Sequence, residues 1–249
     1  MIRLVTRGVR GKEKNPMRLM KLVFGLAGLM LTAATAQAAT INFATGDGGD
    51  VVAPGAVTVV TPHSLWGDIN ADAGFAAGTA KWISYANTGI GGFIAPNFVD
   101  ANSNGKRDIG EQTALFTRTF FINGAGDFNL SILADDTATV VLSGPGGFSN
   151  QLFTAVNTQV DPCAPGGTGN AIGCVNADMG HAHLSGLSAG FYTLSVYAFQ
   201  TNNDVFGVQF GGSYTQVEDP PPSVPEPTSM VLLGTGLIGL ATRLRRKNA

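Results

Sequence analysis

One stretch of the chain carries oxygen ligands at a regular spacing: Asp100, Asn102, Asn104, Lys106, Asp108 and Glu111. They occupy positions 1, 3, 5, 7, 9 and 12 of a twelve-residue loop, with Lys106 contributing its backbone carbonyl. Calcium takes six to eight hard oxygen ligands at flexible geometry, and a loop with this spacing can wrap them round one ion. Gly105 falls at position 6, where such a loop turns sharply. Two of the three leading ligands are amides, and Arg107 stands where an apolar residue is usual. Both departures predict weak affinity, in the roughly 10⁻⁴ to 10⁻³ M class of extracellular modules. The other reading of these residues is an Asn/Gly surface loop with no ion.

The spacing resembles the EF-hand loop and also the DxNxNG calcium loops of extracellular β-domains. The flanks are a coil containing Pro96 and an apolar run from Leu115. They imply the β-domain setting rather than paired helices.

Four further groups could do chemistry. Cys163 and Cys174 are the only cysteines. In an oxidising compartment they are expected to form a disulfide, closing a Pro/Gly-rich loop and contributing about 3 kcal/mol. A catalytic thiol is the alternative, with His181 and His183 following the second cysteine. Those two histidines have the period-2 spacing that puts both imidazoles on one face of a strand. They could hold a transition metal with a third ligand such as Asp178, or form a plain polar strand edge. Asp135-Asp136 is a carboxylate pair, but neighbours on a strand point to opposite faces and would not act together as a glycosidase pair. Trp66, Trp82, Tyr85 and the late aromatics could stack on sugars, with core packing as their default role. No nucleophile elbow, phosphate loop or zinc-protease motif is present.

These groups sit between two end signals. Residues 1–38 read as a secretory signal with an upstream extension, and Met1 and Met17 are both candidate starts. Arg18 and Lys21 precede the apolar run 22–31, and Ala36 and Ala38 supply the small residues that a signal peptidase needs. At the other end, residues 224–249 begin with Val224-Pro225-Glu226-Pro227. An apolar run follows from Met230 to Ala241, then Arg243, Arg245, Arg246 and Lys247. The fifteen residues 228–242 would span about 22 Å as a helix, short of the roughly 30 Å hydrocarbon core. The basic cluster would hold the extreme C-terminus in the cytoplasm.

These three parts, in this order over 224–247, resemble the PEP-CTERM sorting signal. The resemblance implies export, an exosortase as the processing partner, and a Gram-negative bacterium that makes extracellular polysaccharide. It implies that Pro225, Glu226 and Pro227 are the recognition motif. It places the protein in the envelope or matrix, transiently anchored in the inner membrane.

Residues 39–214 form the expected domain, and 215–223 a Pro-rich spacer. Residues 40–224 hold fifteen acidic and only four basic side chains, a net charge of −11. Such a body repels phosphate backbones, which argues against nucleic acid and favours cations or neutral glycans. Strand periodicity recurs in Phe128–Ile132 and in Phe206, Val208 and Phe210. Phe191–Phe199, Leu115–Ile122 and Thr137–Ser143 are further strand candidates. No window makes a convincing amphipathic helix. The pattern predicts an all-β sandwich or barrel, flanked by an N-terminal signal helix and a C-terminal hydrophobic helix. Trp82–Ser84, Phe116–Phe120, Ile132–Leu142 and Leu187–Leu194 are similar to galactose-binding-like jelly rolls found in many PEP-CTERM proteins, a resemblance covering 80–214. It implies a fold better than a ligand. The sequence favours a non-enzymatic surface or matrix protein, possible partners being calcium and extracellular polysaccharide. Its rivals are a polysaccharide hydrolase and a purely structural surface protein.

Overall fold

Alternation of apolar and polar residues resolves into two antiparallel sheets. The computed structural model describes residues 39–157, 163 and 172–216. The strands are β1 (Ala39–Ala44), β2 (Asp50–Ala53), β3 (Thr58–Val59), β4 (Ile83–Ser84), β5 (Ala114–Ile122) and β6 (Gly126–Asp135). They continue with β7 (Thr137–Ser143), β8 (Ser149–Phe153), β9 (Gly180–Leu187), β10 (Gly190–Phe199) and β11 (Gly207–Gln216). One sheet runs β3-β4-β11-β6-β9, with β1 also paired to β11. The other runs β2-β5-β10-β7-β8. Among the described residues the helical content is two short 3₁₀ turns, Pro145–Gly147 and Asn176–Asp178.

The central strands supply the core between the sheets. Phe128, Leu130, Ile132 and Ala134 of β6 join Tyr192, Leu194, Val196 and Ala198 of β10 in one buried cluster. Phe116, Phe120 and Ile122 of β5 and Val208 and Phe210 of β11 belong to it. Each fully buried side chain of this size contributes about 1.5–3 kcal/mol through water exclusion. The chain changes sheet between β6 and β7, so the corner falls at Asp136.

The alternate residues of β6 face the other way, and a long excursion covers part of that face. Val60, Ile69, Ala80 and Trp82 pack with Leu133 and Ala44 into a second cluster, joined by Trp66 and Phe75. A buried amide clamps this cover. Gln209 on β11 is 2% exposed. Its Oε1 accepts from Ile69 N at 3.1 Å. Its Nε2 donates to Ala80 O at 2.9 Å and to Asp68 Oδ1 at 3.1 Å. Asn70 completes the arrangement, accepting from Ala80 N at 2.7 Å. The next outward position is Gly211, where a Cβ would stand 2.6 Å from the Phe75 ring.

A charged cluster ties the β1–β2 turn to β5. Arg118 pairs with Asp47, Nη2 to Oδ2 at 2.8 Å, and with the buried Asp50 at 3.4 Å. Burial pushes the Asp50 carboxyl up, against the pull of the Gly46 N–H and of Arg118. Removing Arg118 would strand a buried carboxylate, the costly way to break such a pair.

The five strand candidates read from the sequence correspond to β5, β6, β7, β10 and β11. β11 extends to Gln216, two residues past the expected domain edge. The signal segment with Ala36 and Ala38, the rest of the spacer, and the tail with Pro225, Glu226 and Pro227 lie outside the described residues. Among the described residues no helix is long and apolar enough to cross a membrane.

Gln209→Ala leaves Ile69 N–H without its acceptor, and the expected cost is about 1–3 kcal/mol. Trp66 and Trp82 are the only tryptophans and both lie in the cover. The variant should therefore show a fluorescence transition at lower denaturant than its far-ultraviolet dichroism transition. Coincident transitions at the wild-type midpoint would contradict the clamp.

Candidate functional site

The loop predicted to bind calcium closes on itself through its own side chains. Asp100 accepts from Asn104 N at 3.1 Å and from Gly105 N at 2.9 Å. Glu111 Oε1 reaches back ten residues to accept from Ala101 N at 2.9 Å. Asn102 and Asn104 donate their amides to Asp108 Oδ2 at 2.9 and 2.7 Å. Those two hydrogen bonds hold the Asp108 carboxyl below its ordinary value. Lys106 N donates to Asn104 Oδ1 at 2.7 Å. Ser103 and Gly105 carry positive φ, 53° and 73°, which makes the tight wrap. Glu111 Oε2 is buried with no hydrogen-bond partner among the described residues. An anionic oxygen in that state suits a cation, and position 12 is where such a loop offers both carboxylate oxygens.

Arg107 explains its own departure from the loop pattern. It is 5% exposed, so this position turns inward as the apolar residue would. The guanidinium lies 5.2 Å from the Phe98 ring centroid and donates to Val156 O. Burial lowers its pKa, and the Asp136 carboxylate opposes that shift. Its backbone N–H donates to Asn157 Oδ1 at 3.0 Å. The loop is thus anchored to the body by a charged side chain with a long apolar stem.

Asp135 and Asp136 correct one expectation. They do not point to opposite faces of a strand. They straddle the corner where β6 passes to β7, are 4% and 1% exposed, and line the same cavity of about 270 Å³. Trp66, His63, Asn202, Asp204 and the Cys163–Cys174 pair are among its other lining residues. Each carboxylate holds a neighbouring segment. Asp135 Oδ2 accepts from Trp66 Nε1 at 2.5 Å. Asp136 Oδ2 accepts from Thr201 N at 2.7 Å and from the Thr201 hydroxyl.

Cys163 and Cys174 are disulfide-bonded, with Cα atoms 5.0 Å apart. Both sulfurs lie near Asp135, all within 4.8 Å. Bonded to each other, they offer no thiolate to a metal or a substrate. Trp66 and Trp82 stack at 4.2 Å beside them; Trp82 is core at 3% exposed, whereas Trp66 is half-buried and lines the cavity.

His181 and His183 lie on β9 and share a face as expected. The carboxylate beside them is Asp72 of the cover, 3.2 Å from His181 Nδ1, whereas Asp178 sits in a 3₁₀ turn. Nothing in sequence spacing could have paired residues 72 and 181.

The aromatic platform that the sequence left open is Phe121 with Phe191. They face each other across β5 and β10, with centroids 4.9 Å apart, and are 43% and 70% exposed. Hydroxyls continue the same face: Thr119 and Thr193 lie 3.2 Å apart, and Thr117 stands opposite Ser195.

Residues 223–247 match the PEP-CTERM protein-sorting motif. The match implies an exported protein of the Gram-negative cell envelope, with an exosortase as its processing enzyme. No curated protein sequence matches the chain. Among solved structures, the exo-β-1,3-galactanase of Phanerochaete chrysosporium is similar at TM-score 0.29 and 15% identity, over 69% of this chain and 28% of that one. The catalytic domain of a GH87 α-1,3-glucanase is similar at TM-score 0.31 and 16% identity, over 78% of this chain and 31% of that one. The chain therefore spans less than a third of either structure.

A Cys163→Ser/Cys174→Ser variant frees the Pro/Gly-rich loop, and its expected loss is about 3 kcal/mol from loop-closure entropy. Equilibrium denaturation of both forms, oxidised and reduced, measures it. The reduced wild type should fall to the variant's midpoint.

Proposed function

We propose that the mature body is a non-enzymatic, calcium-stabilised glycan-binding module, released or displayed at the envelope after exosortase processing of its transiently membrane-held tail. A jelly-roll-like sandwich of the galactose-binding-like class is the scaffold this reading assumes. The observation that carries it is the Phe121–Phe191 pair, exposed on a face bordered by hydroxyls. Exposed apolar surface rimmed by polar groups marks binding sites. Aromatic rings take the C–H face of a sugar, and Thr119, Thr193 and Ser195 supply hydroxyls for its edge. The acidic pair at the β6–β7 corner supports the non-enzymatic side, because each carboxylate is engaged in holding Trp66 or Thr201.

The expected result is binding of the chain to the producing organism's own extracellular polysaccharide, weakened at least tenfold in Phe121→Ala/Phe191→Ala. Both rings are partly exposed, Phe121 by 43% and Phe191 by 70%, and dichroism with a denaturation midpoint checks that the variant stays folded. Release of reducing ends from the polysaccharide would support the hydrolase instead. Equal binding by wild type and variant would remove the platform from the reading.

Loop 100–111 supplies the stabilising ion. Asp100, Asn102, Asn104, Asp108, Glu111 and the Lys106 carbonyl are its ligands in this reading, and the partnerless Glu111 Oε2 supports it. With a dissociation constant of about 10⁻⁴ to 10⁻³ M, 10 mM calcium adds roughly 1–3 kcal/mol. That raises Tm by roughly 3–10 °C for a body of this size. EDTA should remove the rise, and Glu111→Gln should abolish it. A melting curve indifferent to both calcium and EDTA would sink the calcium proposal while leaving the glycan test intact.

A further inference from the structure

The groove on the outer face of the six-stranded sheet is used neither by the platform nor by the calcium loop. It has a volume of about 470 Å³. Its wall is β9, the edge strand, where His181 and His183 are both exposed. In register opposite them on β6 stand Ser131 and Asn129. Asp72 approaches from the cover.

The same nitrogen is occupied on each ring. His181 Nδ1 lies 3.2 Å from Asp72 Oδ2, and Ser131 Oγ donates to that oxygen at 2.8 Å. His183 Nδ1 lies 2.8 Å from Asn129 Oδ1. A carboxylate and an amide carbonyl only accept, so each neutral imidazole carries its proton on Nδ1. Nε2 then holds the lone pair. Metal-binding histidines are set in this way, the inner N–H donated to a carboxylate or carbonyl and the outer nitrogen left for the ion. Ser131, His181 and Asp72 do not make a nucleophilic triad. Serine and aspartate both approach Nδ1, at 3.5 and 3.2 Å, whereas a triad needs one on each nitrogen.

We propose that His181 and His183 chelate one borderline divalent transition-metal ion through their Nε2 atoms, with Asp72 and Asn129 as the outer partners that fix the tautomers. Residues two apart on a strand are about 6.6 Å apart at Cα. Two exposed rings rotate within that span to meet on one ion at metal–nitrogen distances of about 2.0–2.1 Å. The remaining coordination positions open into the groove and take water. Two imidazoles select copper, nickel or zinc and discriminate against calcium, which prefers oxygen.

The test titrates the full chain, purified without a metal-binding tag, with copper and zinc salts by calorimetry. Calcium is held at 10 mM so that oxygen-ligand sites are silent. One equivalent should bind, more tightly for copper than for zinc, and the copper spectrum should show nitrogen hyperfine coupling. His181→Ala and His183→Ala should each lower affinity at least tenfold. Asp72→Asn should lower it roughly 10- to 100-fold at unchanged stoichiometry. His63→Ala, the third histidine and not a lining residue of this groove, should change nothing. The two strand histidines are exposed, so loss of folding is not expected, and dichroism checks it. Copper binding that survives in the His181→Ala/His183→Ala double variant overturns the proposal. So does a wild-type titration indistinguishable from that variant's.

Discussion

A single buried amide makes the outer face of the six-stranded sheet into something other than a flat surface. Gln209 is buried, so its donor and acceptor must be met by protein. They are met by Ile69 N, Ala80 O and Asp68 Oδ1, all in the excursion between β3 and β4. That requirement fixes where the excursion lies. Its apolar residues then have Leu133 and Ala44 to pack on. Two of its residues set the concavities: Trp66 reaches Asp135 at the sheet corner, and Asp72 reaches Ser131 and His181 at the edge strand.

Much of the architecture is legible in the sequence because the central strands are buried on one face. β5, β6, β10 and β11 each run nine or ten residues, long enough for a period of two to stand out. β3 and β4 are two-residue strands, and β2 has four, so they carry too little pattern. β9 was hidden for a different reason. Its outward residues are His181, His183 and Ser185, and Gly186 takes φ of 68°, which reads as a turn. In the sequence, Gln209 stands between Val208 and Phe210 as the polar half of an alternating strand. Only the cover shows that its face is buried too.

The site residues divide along the same line. The oxygen-bearing side chains of loop 100–111 are written in consecutive residues, so closure of that loop through Asp100, Asp108 and Glu111 is within reach of a spacing argument. The inward turn of Arg107 is written there as well, because position 8 of such a loop faces the body whatever residue fills it. Asp135 and Asp136 read as neighbours on one strand, whereas the chain changes sheet between them and β7. The partners Asp72–His181 and Trp66–Asp135 are separated by 109 and 69 residues. No spacing argument reaches that far, since only the topology brings these segments together.

Charge connects the proposed ions to the proposed glycan. Between residues 40 and 224 the net charge is −11, and the sandwich holds only four cationic side chains in that stretch. Two of these, Arg107 and Arg118, are spent inside on Val156 and on the Asp47–Asp50 pair. The outward face thus has little positive charge to attract an anionic polymer. Long-range attraction would act on cations instead, raising their local concentration within a Debye length of about 8–10 Å. Weak sites such as a loop with two amide ligands gain most from that enrichment, because their occupancy is proportional to local concentration. A neutral sugar can approach Phe121 and Phe191 without opposing this field. An acidic one would have to approach with its counterions, or through a metal already held by the protein. The electrostatics therefore favour neutral glycans at the platform and leave acidic polymers to cation-bridged contacts.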